Sequence, residues 1–398
     1  MKVVLIVGAG ISLPTVPGTS KLTSKILAGS NVWYTAEKYF ERTQQIRDSS
    51  RRLDPKIIEL LTVVNKRCSD FFKTVLTKRI PNYEDIAYVV SQLAEKYDNP
   101  AIIALSEEIS NTLFPECDRA TQRSKLTWLA SGTLNYIKKY LQALIKIPIG
   151  RIEYLDILKE MVEDEEIETI EIFSYNHDLL LENFFSQNEI EFCDGFDVSV
   201  DGVRLMNLSL YNATNAKVKL YKLHGSIDWH QFIFRRLAST SEPAIVGVVS
   251  GEIVGNIIGI PTEGELSKEK VSYQAVNCSR EVYTNNSPLI LIGTDNKLFD
   301  YQLGSFLKQQ SLLQSALSNA GKIIIAGSSC GDRALRVRIY DEIVAVTSKE
   351  VIVINPMIES VRGNLRGPIF DRIKFLPYKI EDAKWKNGNV VARNGDPE

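Results

Sequence analysis

The chain has 398 residues and three histidines, and one of these ends a run of strand-forming residues: "KVKLYKLHGSIDW" changes character at His224 and Gly225. A neutral imidazole at a strand exit can take a proton from a sugar hydroxyl or a water near pH 7. A second run, "ETIEIFSYNHDLLLE", breaks after Tyr175 and releases Asn176, His177 and Asp178 at the start of a helical pattern. The Asn176 amide can donate and accept at once, which suits holding a water or a sugar hydroxyl beside a reacting carbon. Each residue also has a plainer reading: Asn176 as an Asx-turn residue, Asp178 as a helix cap, His224 as a structural hydrogen-bonder.

Three more turns join these two. "VVLIVGAGIS" carries Gly8, Ala9, Gly10 and Ser12. A glycine turn there would let backbone N–H groups approach a pyrophosphate at a helix N-terminus. Leu13 stands where the full GxGxxG pattern needs glycine, so a plain strand-to-helix turn fits as well. "KIIIAGSSCGD" ends a strand on Gly327, Ser328 and Ser329, and "EVIVINP" ends one on Asn355. Both exits could receive phosphate or ribose, and both could be turn chemistry alone.

These residues need a scaffold that brings strand exits together. Six apolar, β-branched runs recur at wide spacing: "VVLIVGAG", "ETIEIFSYN", "KVKLYKLHG", "PLILIGT", "KIIIAGSS" and "EVIVINP". Strands apolar on both faces belong in a parallel sheet covered on both sides. Helical patterns lie between several of them, at Leu179–Phe185, Phe299–Leu317 and Ala334–Ala345. The alternation predicts a Rossmann-like, doubly wound parallel α/β sheet, whose ligands sit beyond the C-terminal strand ends. Residues 21–165 read as a helical insertion and residues 232–287 as a small β-rich insertion, within a single domain spanning 1–398. The last stretch, "NGNVVARNGDPE", reads as a frayed tail.

Composition narrows the classes. Forty-seven basic against forty-nine acidic residues leave a net charge of -2, with no global signature of a nucleic-acid or membrane binder. The five cysteines (Cys68, Cys117, Cys193, Cys278 and Cys330) are scattered and never spaced as CxxC, so neither a disulfide framework nor a zinc ribbon is expected. No apolar run reaches the roughly 20 residues of a membrane span. The expectation is a cytoplasmic protein with neither signal peptide nor membrane anchor.

In their order, GAGIS, SYNHD, KLHGSIDW, GSS with Asp332, and VINP resemble the sirtuin family, specifically its divergent prokaryotic NAD hydrolases of anti-phage defence. The resemblance runs from residue 8 to residue 355. It implies that Gly8, Ala9, Gly10 and Ser12 line phosphate and ribose, and that Asn176 and Asp178 serve the nicotinamide ribose. It puts His224 in the place of the catalytic histidine, and gives Gly327, Ser328, Ser329 and Asn355 the adenosine half. Asp332 matches the pattern and could equally be the cap of the helix that follows. Two CxxC pairs typical of protein-deacylating sirtuins are absent, and "LPTVPGTSKLT" stands where those enzymes read close to "GIPDFR". The resemblance therefore implies NAD as substrate, no zinc, and water as acceptor. It also implies an abortive-infection effector that forms homo-oligomers and works with a partner, first a HerA-type ATPase. A non-catalytic nucleotide-binding assembly subunit is the alternative, and a protein deacylase a more distant one.

Overall fold

Five consecutive apolar residues, Val3 to Val7, make β1 (Lys2–Val7), and all five are buried. A strand buried on both faces needs a neighbour on each side and a helical layer above and below. In the computed structural model it has both. The structure describes residues 1–29, 54–75, 80–95, 99–145, 152–197, 203–234, 245–249, 282–284, 287–293, 304–345, 349–365 and 370–393.

The main sheet contains β1, β2 (Thr169–Ser174), β3 (Phe192–Cys193), β5 (Val218–Lys222), β9 (Lys322–Ala326), β10 (Glu350–Ile354) and β11 (Ile373–Leu376). Its seven strands are all parallel, in the order β11-β10-β9-β1-β2-β5-β3. From β1 the chain builds outward through β2 and β5, then crosses back to β9 on the other side. The reversal falls between β1 and β9, and a doubly wound sheet opens its ligand crevice beyond the C-terminal ends at such a point.

Strand alternation divides the core into two layers. Val3, Leu5 and Val7 share one layer with Leu180 and Phe184 of α7 (Leu180–Gln187) and Leu158 of α6 (Asp156–Glu163). Val4 and Ile6 share the other with Tyr211 of α8 (Leu210–Ala213), Leu313 of α9 (Gly304–Asn319) and Leu335 of α10 (Arg333–Ala345).

The helical insertion is α1 (Thr19–Ala28), α2 (Pro55–Thr74), α3 (Tyr83–Ala94), α4 (Pro100–Leu113) and α5 (Arg119–Ile145). Local chemistry sets its boundaries. Asp54 and Asn99 cap helices whose first residue is proline, and Asn82 forms a reciprocal capping box with Asp85. These helices share a core with Ile227, Ile290 and Ile292, of which Ile227 follows His224 closely in sequence and Ile290 bridges Gly225. The β-rich part is an antiparallel sheet in the order β4-β7-β6-β8, built from β4 (Val203–Leu205), β6 (Trp229–Phe234), β7 (Ile245–Val249) and β8 (Val282–Thr284). It begins before residue 232, and residues 235–244, 250–281 and 285–286 of the expected insertion lie outside the described residues. The helix expected at Phe299–Leu317 is described from Gly304, residues 294–303 lying outside.

Two expectations need correction. "PLILIGT" is no strand of the main sheet: Ile290 makes one antiparallel bridge to Gly225, and the run is apolar because Ile290 and Ile292 enter the helical core. The C-terminal stretch is not frayed as far as Arg393, since β12 (Ala383–Lys386) and β13 (Asn389–Ala392) form a hairpin; residues 394–398 lie outside the described residues. Asn387 and Gly388 have φ of 50° and 73°, as the tight turn between twisted strands requires. Trp385 fixes the hairpin by donating its indole N–H to Asp164 at 2.6 Å.

Candidate active site

The reversal between β1 and β9 is closed by two glycine turns in backbone contact. Gly8 N–H donates to the Ala326 carbonyl at 3.0 Å and Gly10 N–H to the Gly327 carbonyl at 2.8 Å. A Cβ on Gly8 would lie 2.8 Å from Ser328 Cα, and one on Gly10 would lie 2.6 Å from the Gly327 oxygen. Glycine is needed here so that one turn can lie against the other. The sequence reading has these N–H groups facing a pyrophosphate; in this arrangement both are engaged by carbonyls of the neighbouring exit. The element that follows also differs from the expected helix. It is a single 3-10 turn, Ala9–Ile11, and α1 starts only at Thr19, after Pro14 and Pro17.

Asn176 brings the β2 exit onto this turn. Its side-chain Nδ2 donates to the Gly8 carbonyl and to Ser12 Oγ, each at 3.0 Å. Asn176 and Ser12 are both buried, and an amide oriented by two fixed acceptors has little freedom to rotate. Asp178 is also buried and accepts the Leu180 N–H at 3.1 Å; Leu179 is the N-cap of α7, so Asp178 stands one position before the cap it was read as and still takes up the first helical N–H.

His224 comes from the adjacent exit, that of β5, and is 4% exposed. Tyr175 meets its ring edge-on at a centroid distance of 4.7 Å, and the His177 ring centroid lies 6.1 Å away. Asp332 arrives from the far side of the reversal, with Oδ2 3.5 Å from His224 Nε2. Asp332 Oδ1 accepts the Leu335 N–H at 2.9 Å, so the same carboxylate caps α10 and faces the imidazole. The two readings of Asp332 are thus compatible. Gly225, with φ of 76°, allows the chain to turn under the Leu289 carbonyl, which would be 2.0 Å from any Cβ there. The loop is pinned from above, because Leu291 N–H donates to the His224 carbonyl at 2.8 Å.

The β9 and β10 exits are built differently. Gly327 has φ of 61°, and Ser328 Oγ accepts the Cys330 N–H at 3.1 Å. The Ser329 carbonyl accepts from Asn364 Nδ2 at 2.9 Å. Asn355 donates to the Ser328 carbonyl at 2.9 Å and accepts the Met357 N–H at 2.8 Å, so its amide ties two turns together. Ser329 is the exposed hydroxyl of this group.

Several residues of the site escape sequence reasoning. Cys330 is fully buried with φ of 53°, and burial pushes its thiol up to about 12, so it is a packing residue rather than a nucleophile. Tyr175 and His177 flank His224 from the β2 exit. Lys222 is buried at the end of β5, and its charge inside a parallel strand was the available signal. Among the described residues no group of three or more His, Cys, Asp or Glu side chains is placed to hold a metal ion. No helix among them is long and apolar enough to cross a membrane.

No family model matches the chain, and no curated protein does. Solved structures do. A Sir2 homologue mutant in complex with ADP-ribose is 13% identical over 96% of this chain and 87% of that chain, with a TM-score of 0.36. A Sir2 homologue–NAD complex is 13% identical over 96% and 85%, also at 0.36. Sir2Tm bound to a propionylated peptide is 10% identical over 96% and 89%, at 0.29.

Proposed function

We propose that the protein hydrolyses the N-glycosidic bond of NAD, releasing nicotinamide and ADP-ribose. One observation supports this above others: residues from four strand exits make two polar contacts beside the sheet reversal, Asn176 on Gly8 and Ser12, and His224 opposite Asp332. Breaking this bond puts positive charge on the ribose, so the site needs oriented dipoles around the sugar more than a strong nucleophile. Asn176 is suited to hold the ribose or the attacking water, its orientation set by Gly8 and Ser12. The water oxygen bonds to the anomeric carbon, nicotinamide leaves as a neutral base, and His224 takes the proton the water gives up. Asp332, beside that imidazole, favours the protonated form it acquires. Gly8, Ala9, Gly10, Ser12 and Asp178 would surround the phosphate and ribose, with Gly327, Ser328, Ser329 and Asn355 on the adenosine side.

The motif resemblance carries the reading further, to an anti-phage effector that self-assembles, is held off until triggered and works with a HerA-type ATPase partner. Such control fits an activity that would empty a cell of NAD. Co-purification with neighbouring gene products, with sizing of the complex, tests it.

The central experiment is incubation of purified protein with NAD, following nicotinamide by chromatography. Asn176→Ala and His224→Ala should each stop release while circular dichroism stays unchanged; full activity in both variants would reject the assignment. Binding of NAD without release would make the chain a nucleotide-binding assembly subunit. Release only with an acetylated peptide would make it a deacylase.

A further inference from the structure

Beneath the exits of β2 and β5 lie two charges, Lys222 and Glu182, that the proposed reaction does not use. Lys222, the last residue of β5, is 3% exposed. Its ammonium donates to the main-chain carbonyl of Asp178 and pairs with Glu182 Oε1 of α7 at 3.2 Å. An ammonium taken out of water persists only where fixed partners replace its hydration.

The placement of the bridge matters more than its strength. Asp178 is next but one to Asn176, and Lys222 is next but one to His224. The last main-chain bond joining the two strand ends is Leu223 N–H to the Ser174 carbonyl at 2.9 Å. Beyond it Lys222 continues the connection by side chain, and Ile227 N–H closes it again on the His177 carbonyl at 3.0 Å. The two loops that carry the amide and the imidazole are therefore joined at their base by the Lys222 side chain and further out by the Ile227 main-chain bond.

The surrounding carboxylates make that lysine hard to replace. Burial pushes Glu182 up to about 7; Lys222 opposes the shift, while Asp228 and Asp178 add to it. Asp228 is also raised, first by burial, and its Oδ1 has no hydrogen-bond partner among the described residues. Lys222 is the cation that faces this acidic group. A lysine kept for stability alone could satisfy those charges from any direction; this one also takes the carbonyl of Asp178.

We propose that Lys222 is a positioning residue of the site: its bridge to the Asp178 carbonyl and to Glu182 sets the spacing between Asn176 and His224. The kinetic consequence rests on the NAD-hydrolase reading, and the structural one does not.

Lys222→Met alone would strand the Glu182 carboxylate, so the decisive variant removes both charges, Lys222→Met with Glu182→Met. In the full-length chain it should fold and bind NAD within about threefold of the parent, with kcat lowered about ten- to a hundredfold, as misplacement of reacting groups does. A merely structural lysine would lower the melting temperature and leave kcat of the folded protein unchanged, which would overturn the proposal. A crystal structure of the double variant gives a readout independent of turnover. His224 Nε2 drawn away from Asp332, or Asn176 released from Gly8 and Ser12, supports the positioning role; both contacts kept at their present lengths overturn it. Should the parent protein release no nicotinamide, the hydrolase reading falls and this crystal structure alone decides the case of Lys222.

Discussion

The two flanks of the sheet reversal use polar residues in opposite ways. At the β2 and β5 exits, side chains meet side chains or the opposing turn: Asn176 on Ser12 and Gly8, Asp332 on His224, Tyr175 against the imidazole. At the β9 and β10 exits, Ser328 and Asn355 are spent on turn main chain, and the small residues let one turn approach another. On the first flank Asn176, Ser12 and His224 are buried and the amide is oriented, as groups handling developing charge need to be. The second provides shape. A change on the first flank should therefore act on rate, and a change on the second on stability and affinity.

The largest effect should come from the first flank. His224→Ala is expected to lower kcat for nicotinamide release by about a hundred- to ten-thousandfold, the usual contribution of a positioned acid–base group. Its melting temperature should stay close to that of the parent, and a loss of fold instead would erase the distinction between the flanks. Gly10→Ala tests the second flank where the β1 turn lies tightest against it. The new Cβ meets backbone at 2.6 Å, so chemical denaturation should show a loss of about 2–4 kcal/mol, the range of severe overpacking.

Asp332→Asn comes next because it separates the two functions of one carboxylate. Asparagine still caps α10, so stability should hold within about 1 kcal/mol while kcat falls about tenfold for want of the charge beside the imidazole. Asp332→Ala should lose both. The smallest effect is expected of Asn355→Ala, which removes the tie between two turns: about 1 kcal/mol of stability and a raised KM for NAD, with kcat within about twofold. A fall in kcat as deep as that of His224→Ala would show that the second flank also touches the reacting centre.

Much of this was legible in the sequence, for identifiable reasons. Five apolar residues in a row before Gly8 can hardly be anything but a doubly covered strand, and the runs ending at Tyr175, Lys222, Ala326 and Ile354 follow the same logic. A parallel sheet then forces their exits to one edge, which is why Asn176 and His224 could be picked out. "PLILIGT" misled because burial between the helical insertion and the sheet selects the same residues as burial within a sheet. The C-terminal hairpin was missed although Asn387-Gly388 is a strong turn pair, since its flanking runs are only four residues each. The left-handed Cys330 gave no signal and Lys222 only that of a charge within an apolar strand, for another reason. Their meaning depends on partners distant in the chain, the Asp178 carbonyl for one and the packed turn around Ser328 for the other.

The position of β1 has a consequence for synthesis. It is the central strand, yet both neighbours are made much later, and Gly8 reaches its Asn176 partner across 168 positions of sequence. Such distant pairings form slowly. A nascent polypeptide halted on the ribosome before Gly327 would have no second glycine turn to lie against the first, and no carboxylate opposite its histidine. The centre is thus assembled only once translation has passed the ninth strand.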